Sequence, residues 1–163
     1  MLESIIKIVL VVVLLLAALC FWLLPKTKLA KKLKMTVPIF ITTNIVGIAC
    51  GIFGLVGIFI WKEFIIEAHL WELIIFPYTL VWVYWLMVIR LKKTSIIVDE
   101  KQEWDMSQAA GSTIAGTLLI LAFMFNLSYN DVYQLNNGMW FPFYLFTTIL
   151  LFSVSTLLFF KKS

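Results

Sequence analysis

Five stretches of this chain, at about 5–24, 37–60, 73–89, 108–127 and 141–160, run apolar for roughly the 20 residues that a 30 Å hydrocarbon layer demands. That length and continuity constrain the fold more than any other feature. In hydrocarbon a backbone must satisfy its own N–H and C=O groups, which only helices and closed barrels do. The runs lack the apolar-polar alternation of a barrel strand, so they are read as helices. Composition agrees: 63% of residues are hydrophobic and 13% charged, where soluble domains carry about a quarter charged residues. The expected fold is an all-α integral membrane protein, a single bundle of five transmembrane helices.

The ends of the runs carry residues suited to a membrane boundary. Pro25 closes the first, Pro38 and Pro142 fall in opening turns of the second and fifth, and Trp22, Trp61, Trp71, Trp104 and Trp140 lie near the expected interfaces. Pro77 alone falls well within a run, and is expected to kink the third helix. The first run does not read as a signal peptide. Glu3 and Lys7 leave its start without net positive charge, the run is long, and Leu19 stands where lipoprotein cleavage wants a small residue.

Orientation follows from the basic residues, twelve lysines and Arg90. Lys26, Lys28, Lys31, Lys32 and Lys34 lie between runs one and two, Arg90, Lys92, Lys93 and Lys101 between three and four, and Lys161 and Lys162 after five. These alternate loops share one side, so the N-terminus is expected outside and the C-terminus in the cytoplasm. The expected location is a plasma membrane, the inner membrane of a bacterium or archaeon, with lipids as partners. Clustered lysines without interleaved aromatics suit anionic headgroups and not nucleic acid.

Small and polar residues mark the faces on which helices meet. In the second run Gly47, Gly51 and Gly54 share one face, Gly57 edges it, and Asn44 lies one turn earlier. A face without side chains admits another backbone closely. Ser107, Gly111 and Ala115, with Ser112 and Gly116 beside them, make a similar surface on the fourth. Helices two and four are therefore expected to make the closest contact within the chain, with a homo-oligomer or partner-subunit seam as the alternative. In the third run Tyr78, Trp82 and Trp85 recur at helical spacing. They are read as a bulky packing face or, alternatively, as a slot for a lipid, quinone or peptide.

Chemistry is scarce. No Asp, Glu, Lys or Arg stands near the middle of any run, which argues against a proton-coupled carrier. Neutral groups such as Thr113, Thr117, Thr147, Thr148, Ser153 and Ser155 leave open a pore built from several copies. Glu63, Glu67 and His69 share a loop, but His69 falls about 200° around a helix from Glu67, so no metal site is expected. With one histidine, bis-histidine haem ligation within the chain is excluded. Cys20 and Cys50 lack metal or redox spacing and read as small packing residues. Neither Walker nor GxSxG patterns occur. Neither catalysis nor a cofactor is expected.

The loop before the fourth run carries Asp99, Glu100, Lys101 and Trp104. Asp99 suits an N-cap with Gln102 at the capping-box position, so one helix is expected to start in the cytoplasm and continue as the fourth span. With Asp99, Glu100, Ala109 and Thr113 as matching positions, residues 99–163 resemble small uncharacterised bacterial and archaeal membrane protein families. In these an Asp-Glu-Arg loop leads into the last two spans; Lys101 replaces the arginine here. The resemblance implies a small regulatory or accessory membrane protein, of a kind often associated with a helix-turn-helix regulator. The functional expectation is thus a non-enzymatic accessory protein acting through helix contacts and this loop. A homo-oligomeric channel or carrier for a small neutral or lipophilic solute is the alternative.

Overall fold

The computed structural model describes residues 2–23, 36–61, 65, 70–90, 100–135 and 137–162. Among them there is no strand. The helices are α1 (Leu2–Leu23), α2 (Val37–Ile60), α3 (Leu70–Arg90), α4 (Glu100–Tyr129) and α5 (Trp140–Lys162), with a 3-10 turn at Asn137–Met139 leading into the last. Four are long and apolar enough to cross a membrane, over Val37–Ile60, Leu70–Val88, Trp104–Tyr129 and Trp140–Phe160. The first expected span is helical as α1, but it touches the bundle only slightly, along α3.

Element ends follow local chemistry. Thr36 is the extended N-cap of α2, and Pro38 sits in the first turn, where its missing N–H has no helical partner to lose. Helix α3 runs through Pro77. Helix α4 is continuous for 30 residues, about 45 Å at 1.5 Å per residue. The polar start of the helix and the apolar stretch Trp104–Tyr129 are therefore one element. Its C-terminus closes by a Schellman arrangement, with Val132 N–H donating to Leu127 O (3.0 Å) and Asp131 N–H to Ser128 O (3.3 Å). Asp131 takes the left-handed position, φ 54°, that this closure requires.

The helices pack chiefly as α2 on α5, then α4 on α5 and α3 on α2. A side chain added at Gly47 would overlap Ser153 Oγ and come within 2.7 Å of the Tyr78 ring. At Gly51 it would lie 2.7, 3.0 and 3.1 Å from Leu150 Cβ, Cα and N, and at Gly54 it would run into the Phe146 ring. The pairing of Gly47 with Ser153, Gly51 with Leu150 and Gly54 with Phe146 fixes an antiparallel register. Ring contacts of Phe40 with Phe160 and Phe59 with Phe143 extend that register to both ends.

This corrects the expectation that α2 and α4 come closest. The small row of α4 faces outward: Ser107, Gly111, Ser112 and Ala115 are exposed, and nothing lies within 4 Å of a Cβ built on Gly111. Bare backbone is matched by bulk, not by more bare backbone. The aromatic and aliphatic knobs of α5 fill the groove of α2 and gain dispersion contacts, whereas two flat faces meeting would leave voids between their flanks.

Core clusters stack along the bundle axis. Phe40, Trp85 and Val88 pack with Met106 and Phe160 where α2 begins; Cys50, Tyr78 and Ile149 hold the middle. Ile58, Met124, Leu135, Met139, Phe143 and Phe146 close the end where α2 finishes.

The seam predicts opposite signs for neighbouring glycines. Alanine is the better helix former by about 1 kcal/mol, so Gly111→Ala, in open space, should be neutral or stabilising. Gly51→Ala and Gly54→Ala should destabilise by about 1–3 kcal/mol, because overpacking against backbone or a locked ring outweighs that gain. Gly57→Ala meets only the flexible tip of Ile65 closely and should fall between. Reversible unfolding in mixed micelles measures all four.

Candidate functional site

The interior of the bundle is the place where polar chemistry collects. Helix α2 contributes Thr43 and Asn44, both buried, α3 the stripe Tyr78, Trp82 and Trp85, and α5 the buried Ser153 and Thr156. Their inward placement follows from helical periodicity. Asn44 lies one turn before Gly47 on the face covered by α5, and the aromatic stripe of α3 must fill the space that the glycine face leaves on its flank.

Some of the polar side chains close on their own helices. Thr43 donates to Ile39 O (2.8 Å), Asn44 Nδ2 to Phe40 O (2.9 Å), Thr113 to Ala109 O (2.7 Å) and Thr148 to Tyr144 O (2.8 Å). Thr42 and Thr79 do the same. Such bonds satisfy the hydroxyl without a cross-helix partner and remove its call on water. Among the described residues five buried side-chain atoms have no hydrogen-bond partner: Trp85 Nε1, Thr117 Oγ1, Thr147 Oγ1, Ser153 Oγ and Thr156 Oγ1. Leaving such a group unpaired costs about 1–3 kcal/mol.

The aromatic stripe is wedged between helices. Tyr78 meets Trp82 edge-on at 6.2 Å, Trp82 meets Trp85 at 6.2 Å and Phe152 of α5 at 6.1 Å, and Trp85 meets Phe40 of α2 at 5.9 Å. Tyr78 and Trp85 are buried, while Trp82 is 37% exposed at the outer edge. Beside them Phe40, Thr43, Asn44, Met106, Phe152 and Thr156 line a narrow cleft with room for only ≈ 20 Å³. Ligand pockets for drug-sized molecules run to about 300–1,000 Å³. A lipid chain or quinone therefore finds no room inside this stripe as it is packed. Larger grooves open on the outer surface instead. One of ≈ 550 Å³, almost wholly apolar, lies between α2 and the start of α3 at Phe53, Gly57, Trp61 and Leu73; another of ≈ 350 Å³ lies at Thr42, Leu80 and Tyr84.

The remaining sequence candidates separate. Asn44, Gly47, Gly51 and Gly54 are buried together against α5, while Gly111 and Ala115 lie on the exposed face of α4. Of the loop, Asp99 lies outside the described residues, Glu100 and Lys101 form the first turn of α4, and Trp104 stands 66% exposed. Ala109 and Thr113 are buried and joined by the hydrogen bond above. Glu63, Glu67, His69 and Cys20 lie outside what is described of side chains. No group of three metal-ligating side chains occurs among the described residues.

Sequence reasoning missed Thr156 and the knobs Phe146, Leu150 and Phe152. Laying the last run antiparallel on the glycine face would have found the knobs, since 146, 150 and 153 repeat the spacing of 54, 51 and 47 in reverse. No family model, curated protein or solved structure matches this chain. The fold and interior therefore define its class alone: an all-helical protein with four helices long and apolar enough to span a membrane.

Trp85→Ala should cost about 3–5 kcal/mol, the usual loss for a buried aromatic, and Trp82→Ala clearly less because that ring is already partly exposed. Denaturation in mixed micelles separates the two. Lipid co-purifying per mole of protein should be unchanged in the double variant.

Proposed function

We propose that this is a multi-pass integral protein of a bacterial or archaeal plasma membrane, crossing five times with its N-terminus outside, that acts as a non-enzymatic accessory or regulatory subunit through helix contacts. In this reading α1 supplies the fifth crossing, as 22 aliphatic-rich residues whose side chains such as Val12, Leu15 and Leu16 are exposed. The lysine loops then share the cytoplasmic side, and α4 projects its first two turns, with Trp104, beyond the bilayer core. The partial resemblance of residues 99–163 to small accessory membrane proteins is consistent with this role and rests on those residues alone.

The observation that carries the reading is the outer face of α4. Ser107, Gly111 and Ala115 form a smooth exposed row, and Ile114, Leu118, Leu119 and Phe123 stand exposed beyond it. The other small-residue face, on α2, is filled from within the chain. Helix pairs in lipid associate by close van der Waals packing on such rows, so α4 offers the unfilled half of a helix pair. The channel alternative draws less support. Thr113, Thr117, Thr147, Ser153 and Thr156 of α4 and α5 are buried within the chain and do not present an outward polar stripe that several copies could join into a pore.

A photo-reactive amino acid placed at Gly111 should cross-link to a membrane protein of defined mass in native membranes, whereas the same group at Phe53, exposed on α2, should label lipid only. With the photo-reactive group kept at position 111, Ser107→Leu with Ala115→Leu should abolish that adduct and leave thermal stability unchanged, since both positions are exposed. Lipid labelling alone at both positions would contradict the proposal. Cytoplasmic exposure of both chain ends in sealed vesicles would contradict the five-crossing topology.

A further inference from the structure

We infer that α3 is hinged at Pro77, and that its first two turns, residues 70–76, swing as an arm that opens and closes an apolar groove against α2. The chemistry of the hinge is local. Pro77 stands inside α3 and has no N–H, so the bond that a helix runs from this position back to the carbonyl of Leu73 is missing. Two residues on, Thr79 Oγ1 donates to Ile75 O (3.2 Å), a bond across one turn of the kind that bends helices. Both helix-bending features fall within a single turn of α3.

Packing differs on the two sides of that turn. After it, Tyr78, Trp85, Met87 and Val88 are buried, and the rings of Trp82 and Trp85 are wedged against Phe152 and Phe40. Before it, no residue from 70 to 77 is buried. The arm is held at its margins: Trp71 meets the ring of Phe141 edge-on at 5.8 Å, and Ile74 and Ile75 pack at the edge of the cluster around Ile58 and Phe146. Segments with few buried apolar contacts are the ones that open at low free-energy cost. The arm also has somewhere to go. A groove of ≈ 550 Å³ separates Leu73 and Ile74 from Phe53 and Gly57 of α2, whereas the cleft beside Tyr78, Trp82 and Trp85 leaves ≈ 20 Å³. Gly57 offers the arm a seat, since a Cβ built on it meets only the side chain of Ile65. Water would drive such an apolar groove shut, but lipid tails are as apolar as leucine and do not. A groove filled by lipid tails and a groove closed on Gly57 therefore lie close in free energy, which is the balance that a two-position element requires.

The test measures distances between spin labels on the full chain in lipid bilayers, with Cys20 and Cys50 replaced by alanine. Leu119 of α4, 72% exposed, carries the fixed label, and the second label is placed at Leu73 on the arm or at Leu80 beyond the hinge, both of them partly exposed. The pair Leu73→Cys with Leu119→Cys should give a broad or two-peaked distance distribution, and Leu80→Cys with Leu119→Cys a narrow one. Pro77→Ala restores the N–H and should narrow the Leu73 distribution to the width of the Leu80 one. Equal widths for the two pairs in the protein with Pro77 intact would overturn the inference. So would an excess width at Leu73 that survives Pro77→Ala, since the motion would then be fraying of the helix end and not rotation about the proline. The first comparison needs no change at Pro77, so it decides against the hinge whether or not the alanine variant folds.

Discussion

The backbone of α2 comes so close to α5 that no side chain can stand between them, and the rest of the bundle is arranged around that contact. At Gly51 the neighbour that a Cβ would strike includes the main chain of Leu150, which cannot rotate away. Helix association in lipid has no hydrophobic driving force of its own, because lipid tails are as apolar as leucine. Tight van der Waals packing must supply the stability, and it falls off steeply with separation. Three glycines that admit Ser153, Leu150 and Phe146 therefore do for this bundle what a hydrophobic core does for a water-soluble one. Helix α3 then seals one flank with aromatic rings, and α4 packs on α5.

The same physics explains which features could be read from the sequence. Long apolar runs declare helices because the backbone has no other solution in hydrocarbon, and the boundary of 37–60 matches α2 to the residue. The capping pattern near Asp99 pointed to a helix running into the fourth span, and α4 does run unbroken from Glu100. The glycine face of α2 was legible as a site of close approach, since only one residue type lacks a side chain. Its partner was not. In a helix that is apolar all round, phenylalanine and leucine knobs carry no distinguishing signal, while the small row at Gly111 on α4 stands out and drew the assignment wrongly. The five-crossing count, too, rests on composition at 5–24, and the structure supports four helices of spanning character.

The interior and exterior surfaces play different parts. Inside, hydroxyls are folded back onto their own carbonyls or buried in the seam. Outside, α4 keeps a smooth row of small residues facing its surroundings.

Cysteine cross-linking across the α2–α5 seam tests the central claim most directly. In a background with Cys20 and Cys50 replaced by alanine, Phe40→Cys with Phe160→Cys and Phe59→Cys with Phe143→Cys should each form an intramolecular disulfide in membranes. The crossed pair Phe40→Cys with Phe143→Cys should not. Efficient bridging of the crossed pair, or failure of both matched pairs in folded protein, would contradict the antiparallel glycine seam on which this architecture stands.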